Sequence, residues 1–231
     1  MSLYAIGDLH LSFGINKPMN VFGNRWNNYE ERLKQNWYKK VNEDDTVILL
    51  GDFSWATYLD DTENDFKFIS VLPGNKIILK GNHDYWWTTI NKMKKFLNEK
   101  NITNIDFLYN NSFRYKNYII AGTRGWGNGE SEEDIKIQKR EKIRLELSIQ
   151  DGIKKYGNNK IIVCTHYPPF GATEDETNLI ATMHKYNVEK CLYAHLHGDA
   201  HKDAIQGKIE GIEFRLLSSD YTDFELIKIE D

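Results

Sequence analysis

Three runs in this sequence, Val47-Ile48-Leu49-Leu50, Ile77-Ile78-Leu79 and Ile161-Ile162-Val163, are apolar at consecutive positions. A strand turns successive side chains to opposite faces, so such a run leaves no face for water. These strands must therefore lie between other layers. Helical spacing fills the gaps between them, as in Leu33, Trp37 and Val41. Strands that alternate with helices give an α/β fold.

Taken in order, strands are expected at residues 3–6, 46–50, 76–80, 105–109, 113–115, 118–121, 160–164 and 190–194. Helices are expected at 29–41, at 62–72 with Thr62 as N-cap, at 88–99, at 132–156 closed by Gly157, and near Asp175–Tyr186. The polar stretch from Ser12 to Asn28 reads as a loop long enough to form a functional rim. The tail segments Ile212–Leu217 and Phe224–Ile229 read as an antiparallel pair. No repeat or linker interrupts the chain, which reads as a single domain over 1–231.

The formal net charge of -4 argues against a dedicated nucleic-acid binder, which carries a basic surplus. Cys164 and Cys191 sit inside apolar runs and read as small buried hydrophobes, not a disulfide. Residues 1–7 already read as a strand, so no leader is expected ahead of the fold, and no apolar run reaches the ~18 residues of a membrane span. A cytoplasmic location is the expectation, with no membrane contact, and nothing in the sequence points to a protein partner.

The apolar runs share one further property. Asp8, Asp52, Asn82, His166 and His195 each follow the carboxyl end of one within a residue or two. In open α/β sheets that edge forms the ligand crevice. A lone histidine after a strand is more often a structural residue than a ligand; five polar groups agreeing in position are not coincidence. Asp8 and His10 are two residues apart, as are His195 and His197, so in extended chain each pair points one way. Asn82 offers a neutral oxygen to a hard cation, and the adjacent His83 offers a proton near physiological pH, with Asp84 placed to hold its imidazole.

The stretches Gly7-Asp8-Leu9-His10, Gly51-Asp52, Gly81-Asn82-His83-Asp84, His166 and Ala194-His195-Leu196-His197 together resemble the calcineurin-like metallophosphoesterase superfamily in order and spacing. The resemblance implies a four-layer αββα sandwich, two mixed β-sheets flanked by helices. It also implies two divalent metal ions. Asp8, His10, Asp52 and His197 would hold the first; Asp52, as a bridge, with Asn82, His166 and His195 would hold the second. His83 would protonate the leaving group, oriented by Asp84. Mixed imidazole and carboxylate ligands accept Mn, Fe, Zn or Co. The implied reaction is in-line attack of a metal-bridging hydroxide on a small organic phosphate ester. Two divalent ions less the charges of Asp8 and Asp52 leave about two positive charges, which suits one hydroxide and one phosphodiester anion, so a diester is favoured.

Two departures stand out. Ala194 replaces the glycine that usually opens the last motif, and Trp55 stands where the second motif often carries Asp or Asn. The segment that marks serine/threonine protein phosphatases is also missing, and Asp84 stands where those enzymes have Glu, so a phosphoprotein substrate is discounted. Of the aromatics near the motifs, Trp86 and Trp126 are the first expected at the substrate rim, with core packing the alternative. Arg124, between Gly122 and Gly125, suits a phosphate; Arg140 and Arg144 read as solvated surface, and His184 and His201 as ordinary residues outside the motifs, His201 being close enough to His197 to support it. Competing readings are a nucleotide phosphatase or nuclease, and a non-catalytic scaffold, which the complete ligand set disfavours.

Overall fold

Alternation along the central strands divides the core into three layers. In the computed structural model, which describes residues 1–171 and 177–231, Leu3 and Ala5 of β1 (Leu3–Ile6) face a second sheet while Tyr4 and Ile6 face helices. After α1 (Tyr29–Lys40), Val47 and Leu49 of β2 (Thr46–Leu49) repeat the pattern toward the helices, and Ile48 toward the second sheet. After α2 (Glu63–Ser70), so do Ile78 and the pair Ile77 and Leu79 of β3 (Asn75–Leu79). The consecutive apolar residues therefore serve two cores at once, at roughly 1.5–3 kcal/mol for each fully buried large aliphatic side chain.

The remaining elements are α3 (Ile90–Glu99), β4 (Ile105–Leu108), β5 (Phe113–Tyr115), β6 (Tyr118–Thr123), α4 (Glu132–Tyr156), β7 (Lys160–Thr165), α5 (Leu179–Lys185), β8 (Lys190–Tyr193), β9 (Gly207–Ile209), β10 (Ile212–Leu216) and β11 (Ile227–Glu230). The first sheet has the order β11-β1-β2-β3-β4, with only β11 antiparallel to its neighbour. The second has the order β5-β6-β7-β8-β10-β9, parallel in its middle and antiparallel at both edges. Helices α1 to α3 cover the first sheet through Leu33, Trp37, Phe66 and Met93. Helices α4 and α5 cover the second through Leu145, Ile149 and Met183. The result is an α/β fold of four layers, αββα.

Three expectations need correction. The tail strands do not pair with each other: β10 joins β8 in the second sheet and β11 joins β1 in the first, so each completes a different sheet. Thr62 does not cap α2; its hydroxyl donates to the Leu59 carbonyl within a short 3-10 turn, and no side-chain cap bond forms. The helix expected from Asp175 begins at Leu179, capped by the Asn178 side chain, and Asp175 lies outside the described residues. Residues 12–28 do form a rim, ordered by 3-10 turns at Met19–Phe22 and Asn24–Trp26. Both cysteines are free and fully buried. Among the described residues no helix is long and apolar enough to cross a membrane.

Candidate metal centre

The parallel strands of both sheets run the same way, so their carboxyl ends deliver side chains to one edge. Asp8 and His10 follow β1, Asp52 follows β2, Asn82 follows β3, His166 follows β7, and His195 and His197 follow β8. The chain must turn sharply as it leaves each strand. Asp8, His10, Asp52 and His195 all adopt left-handed backbone angles, with φ between 46° and 73°. L-residues visit that region at a cost of roughly 1–2 kcal/mol each. The surrounding contacts hold them there: His10 N donates to Asp52 O at 2.9 Å, Asp8 N to Gly51 O at 3.0 Å, and the Tyr29 hydroxyl to His10 O at 2.8 Å. Gly81 is needed beside them, because a Cβ there would meet Asp52 Oδ1 at 2.1 Å.

Each carboxylate has one oxygen pinned and one aimed inward. Asp8 Oδ2 accepts from His195 N at 2.9 Å, while Asp8 Oδ1 is buried without a hydrogen-bond partner. Asp52 Oδ1 accepts from His83 N at 2.8 Å, while Oδ2 lies between His10 Nε2 at 3.8 Å and His166 Nε2 at 3.5 Å. The imidazoles are oriented in the same manner. His166 Nδ1 donates to the Leu50 carbonyl at 2.9 Å, leaving Nε2 as a lone pair 2.7 Å from Asn82 Oδ1 and 3.2 Å from His195 Nδ1. His10 Nε2 and His197 Nε2 face each other at 3.4 Å.

Two groups emerge whose ligand atoms lie within 4.8 Å of one another: Asp8, His10 and His197, and Asp8, Asp52 and His166. Lone pairs and a partnerless carboxyl oxygen that converge in this way fit divalent cations, and burial, with Asp52 beside it, pushes the Asp8 carboxyl up to about 7, a crowding of acids that a cation relieves. The electrostatics agree. Burial pushes His166 and His195 down to about 3 and lowers His10, so their rings stay neutral. Burial alone would lower His197 as well, but Asp8, then Asp220, outweigh it and raise it to about 9. A field that favours the charged imidazolium favours any cation at that point.

Asp220 is a residue the sequence reading missed. Its Oδ1 accepts from His197 Nδ1 at 2.8 Å, which turns Nε2 toward Asp8. Its Oδ2 accepts from Gly198 N at 3.1 Å and lies 3.3 Å from His201 Nε2. No apolar run marks it: β10 alternates as Ile-Glu-Phe-Arg-Leu, Asp220 stands four residues past its end, and reading the tail as a hairpin placed it away from the crevice.

Asp84 has a different task from the one expected. Its carboxylate accepts from the backbone N–H groups of Phe53, Ser54 and Gly81 and from the Trp86 indole, at 2.7–3.2 Å. These donors saturate it, and His83 Nδ1 is buried without a partner. Asp84 thus ties the β2 and β3 turns together and does not hold the imidazole. Trp86 is likewise no rim residue. It is 2% exposed and packs among Phe53, Phe66 and Phe107. Trp126 is half-buried near Tyr167, whose ring lies 4.2 Å from His195, and Trp126 Nε1 donates to Asp134. Arg124 lies over the Trp126 ring at 4.6 Å.

The aromatic wall beside His83 comes from elsewhere. A cavity of about 510 Å³ is bordered by His10, His83 and His197 on one side and by Met19, Phe22 and Trp26 of the loop on the other. Trp55 stacks on His10 with centroids 4.6 Å apart and lies 4.4 Å from His83. The tryptophan at that motif position therefore forms the cavity's inner wall. The unusual Ala194 is accommodated because Gly7 faces it; a Cβ on residue 7 would meet the Ala194 methyl at 2.5 Å.

Residues 1–199 match the calcineurin-like phosphoesterase family. No curated protein sequence matches the chain. Among solved structures, a protein of unknown function from Aquifex aeolicus is similar at 20% identity and a TM-score of 0.54, over 98% of this chain and 95% of its own. A phosphopantetheinyl hydrolase from Mycobacterium tuberculosis is similar at 12% identity and a TM-score of 0.56, over 99% and 95%. A Thermus thermophilus protein is similar at 14% identity and a TM-score of 0.56, over 99% and 97%. At these identities the likeness shows the fold.

Proposed function

Since this chain belongs to the calcineurin-like phosphoesterase family, a metal-dependent one, we propose that it is a dinuclear phosphoesterase acting on a small organic phosphate ester, a diester in preference to a monoester. The observation that carries the reading is the convergence of seven donors from five strand ends, with the tautomers of His166 and His197 already set by Leu50 and Asp220. Asp8, His10, Asp52 and His197 would hold one cation. Asp52, Asn82, His166 and His195 would hold the other, with Asp52 Oδ2 between the two sets. Mn, Fe, Zn or Co suits these donors. When bound, such cations lower the pKa of a water and neutralise phosphoryl oxygens.

The chain's own residues supply the rest. The Trp55, Trp26 and Phe22 walls receive the organic part of the ester, and the cavity's volume is typical of small-ligand sites. His83 borders the same cavity, where it gives a proton to the departing alkoxide. Its burial lowers its pKa against the pull of Asp52, which makes the proton easier to release. The aromatic walls also favour a second reading, a nucleotide as the ester, with the base stacked on Phe22, which borders the cavity and is 60% exposed. A net charge of -4 gives little support to a nuclease of long nucleic acid.

Metal analysis of the purified protein, paired with Mn²⁺-supplemented turnover of bis-p-nitrophenyl phosphate and p-nitrophenyl phosphate, tests the proposal. Two metals per chain with faster diester hydrolysis are expected. Faster monoester hydrolysis refutes the diester preference. No turnover of either by the fully loaded protein refutes the enzymatic reading for simple esters.

A further inference from the structure

Beside the metal centre, at the carboxyl ends of β3, β4 and β6, lies a second cavity of about 140 Å³ bordered by Lys80, Tyr109, Arg124, Arg140, Glu141 and Arg144. A single water needs roughly 10–15 Å³ of such space, so a tetrahedral anion fits. Four cationic side chains meet one carboxylate, and that carboxylate is already committed. Glu141 is 1% exposed; it accepts from the Thr123 hydroxyl at 2.6 Å and from Arg144 Nη1 at 2.7 Å. Arg144 Nη2 donates to the Tyr109 hydroxyl at 2.9 Å. Arg140 Nε stands 3.8 Å from Glu141, an exposed and loose pairing. Among the described residues Lys80 makes no ion pair, and Arg124 Nε is buried without a hydrogen-bond partner. Cations half-buried together are mutually unfavourable unless an anion joins them.

The pocket adjoins the centre through the backbone. Lys80 stands two residues before Asn82, and the Arg124 carbonyl accepts from His166 N at 3.1 Å and from Tyr167 N at 3.0 Å. We propose that this pocket is an anion subsite that takes a second phosphoryl group of the substrate, so that the ester cleaved at the centre carries two phosphates. The inference rests on the phosphoesterase reading and deepens it. Arg140 and Arg144, read from the sequence as solvated surface, become part of a recognition site. Arginine forks suit phosphate oxygens, and each charge-assisted bond is about twice as strong as a neutral one.

The test is calorimetric titration of inorganic pyrophosphate into the full-length chain in EDTA, where no metal-held phosphate contributes. Saturable binding is expected, weakened roughly tenfold in Lys80→Met and in Arg140→Met. Arg144 is left intact because its loss would strand the buried Glu141 carboxylate. No saturable binding with a Kd below about 1 mM, or an unchanged Kd in both variants, overturns the proposal. In the Mn²⁺-loaded chain, an alkyl phosphodiester that carries a second, terminal phosphate should show a lower KM than the same diester without it; equal KM values overturn the second-phosphate assignment. Failure of the phosphoesterase reading would appear separately, as absent turnover of every ester while pyrophosphate binding in EDTA persists.

Discussion

Replacing Asp220 with asparagine isolates a group that touches a candidate ligand and not the reacting atoms. Asp220 is 3% exposed, and its two oxygens serve His197 Nδ1, at 2.8 Å, and Gly198 N, at 3.1 Å. Asparagine keeps the shape. Its oxygen can still accept from His197, but its amide then opposes the Gly198 N–H. The bond to His197 changes from charge-assisted, worth ~1.5–3 kcal/mol, to neutral, worth ~0.5–1.5 kcal/mol. The difference of about 1–1.5 kcal/mol corresponds to roughly a tenfold loss in affinity for a cation on His197, at the lower end of the ~10–100-fold typical of groups behind a ligand. Calorimetric titration of Mn²⁺ into the metal-stripped protein measures it. One of two binding steps should weaken about tenfold and the other remain unchanged. The His197 pKa, read by NMR in EDTA, should also fall from about 9, because the Asp220 charge helps to raise it. Affinity unchanged within a factor of about two, or equal weakening of both steps, would refute the account of Asp220 as the group that orients His197.

Two further outcomes follow from the same geometry. His83→Ala should keep its metals and lose ~10²–10⁴-fold in kcat on alkyl esters, but far less on nitrophenyl esters, whose leaving group needs no proton; equal losses on both would rule out the acid role. Burial pushes the Asp65 carboxyl up from 3.8 to about 6, although the Ser54 hydroxyl and Phe13 N–H oppose the rise. The folded chain then binds that proton more tightly than the unfolded chain, so this group's contribution is fully present below about pH 4 and is lost as pH rises through about 6, by at most about 3 kcal/mol at 1.36 kcal/mol per unit. Urea denaturation across that window should show a decline in the wild type that Asp65→Asn flattens; identical slopes would disprove it.

The sheet strands and the ligand positions were legible because a single constraint produced both. A strand buried on two faces must be apolar throughout, so its end is marked by the first polar residue, and that residue stands at the crevice. That logic did not reach Asp220, because β10 alternates apolar residues with Glu213 and Arg215 and Asp220 stands four residues past its end; pairing the tail strands by proximity in sequence hid it further, and only the three-dimensional order of the sheets separates β10 from β11. Trp86 misled because adjacency to His83 says nothing of direction: the chain reverses after Asp84 and sends the indole into the helix-facing core. Trp26 and Phe22 were invisible as walls because a loop without periodicity does not reveal which side chains it turns inward. The basic pocket was hidden for a related reason. Lys80, Arg124 and Arg144 lie far apart in sequence, and it takes both the packing of α4 on β6 and the meeting of the two sheets at β4 and β6 to bring them together.

The contact between Gly7 and Ala194 reaches beyond packing. One methyl group fills the gap between the two sheets at the point where Asp8 and His195 diverge, and only one of the two positions can supply it. The residues are therefore a lock-step pair in evolutionary drift. A doubly filled pair would spread the sheets apart, and even with residue 194 bare a Cβ at residue 7 would stand 3.1 Å from Leu50 Cβ, so the methyl fits better on the β8 side. Substitution at 194 is thus conditional on position 7, although 187 residues separate them along the chain.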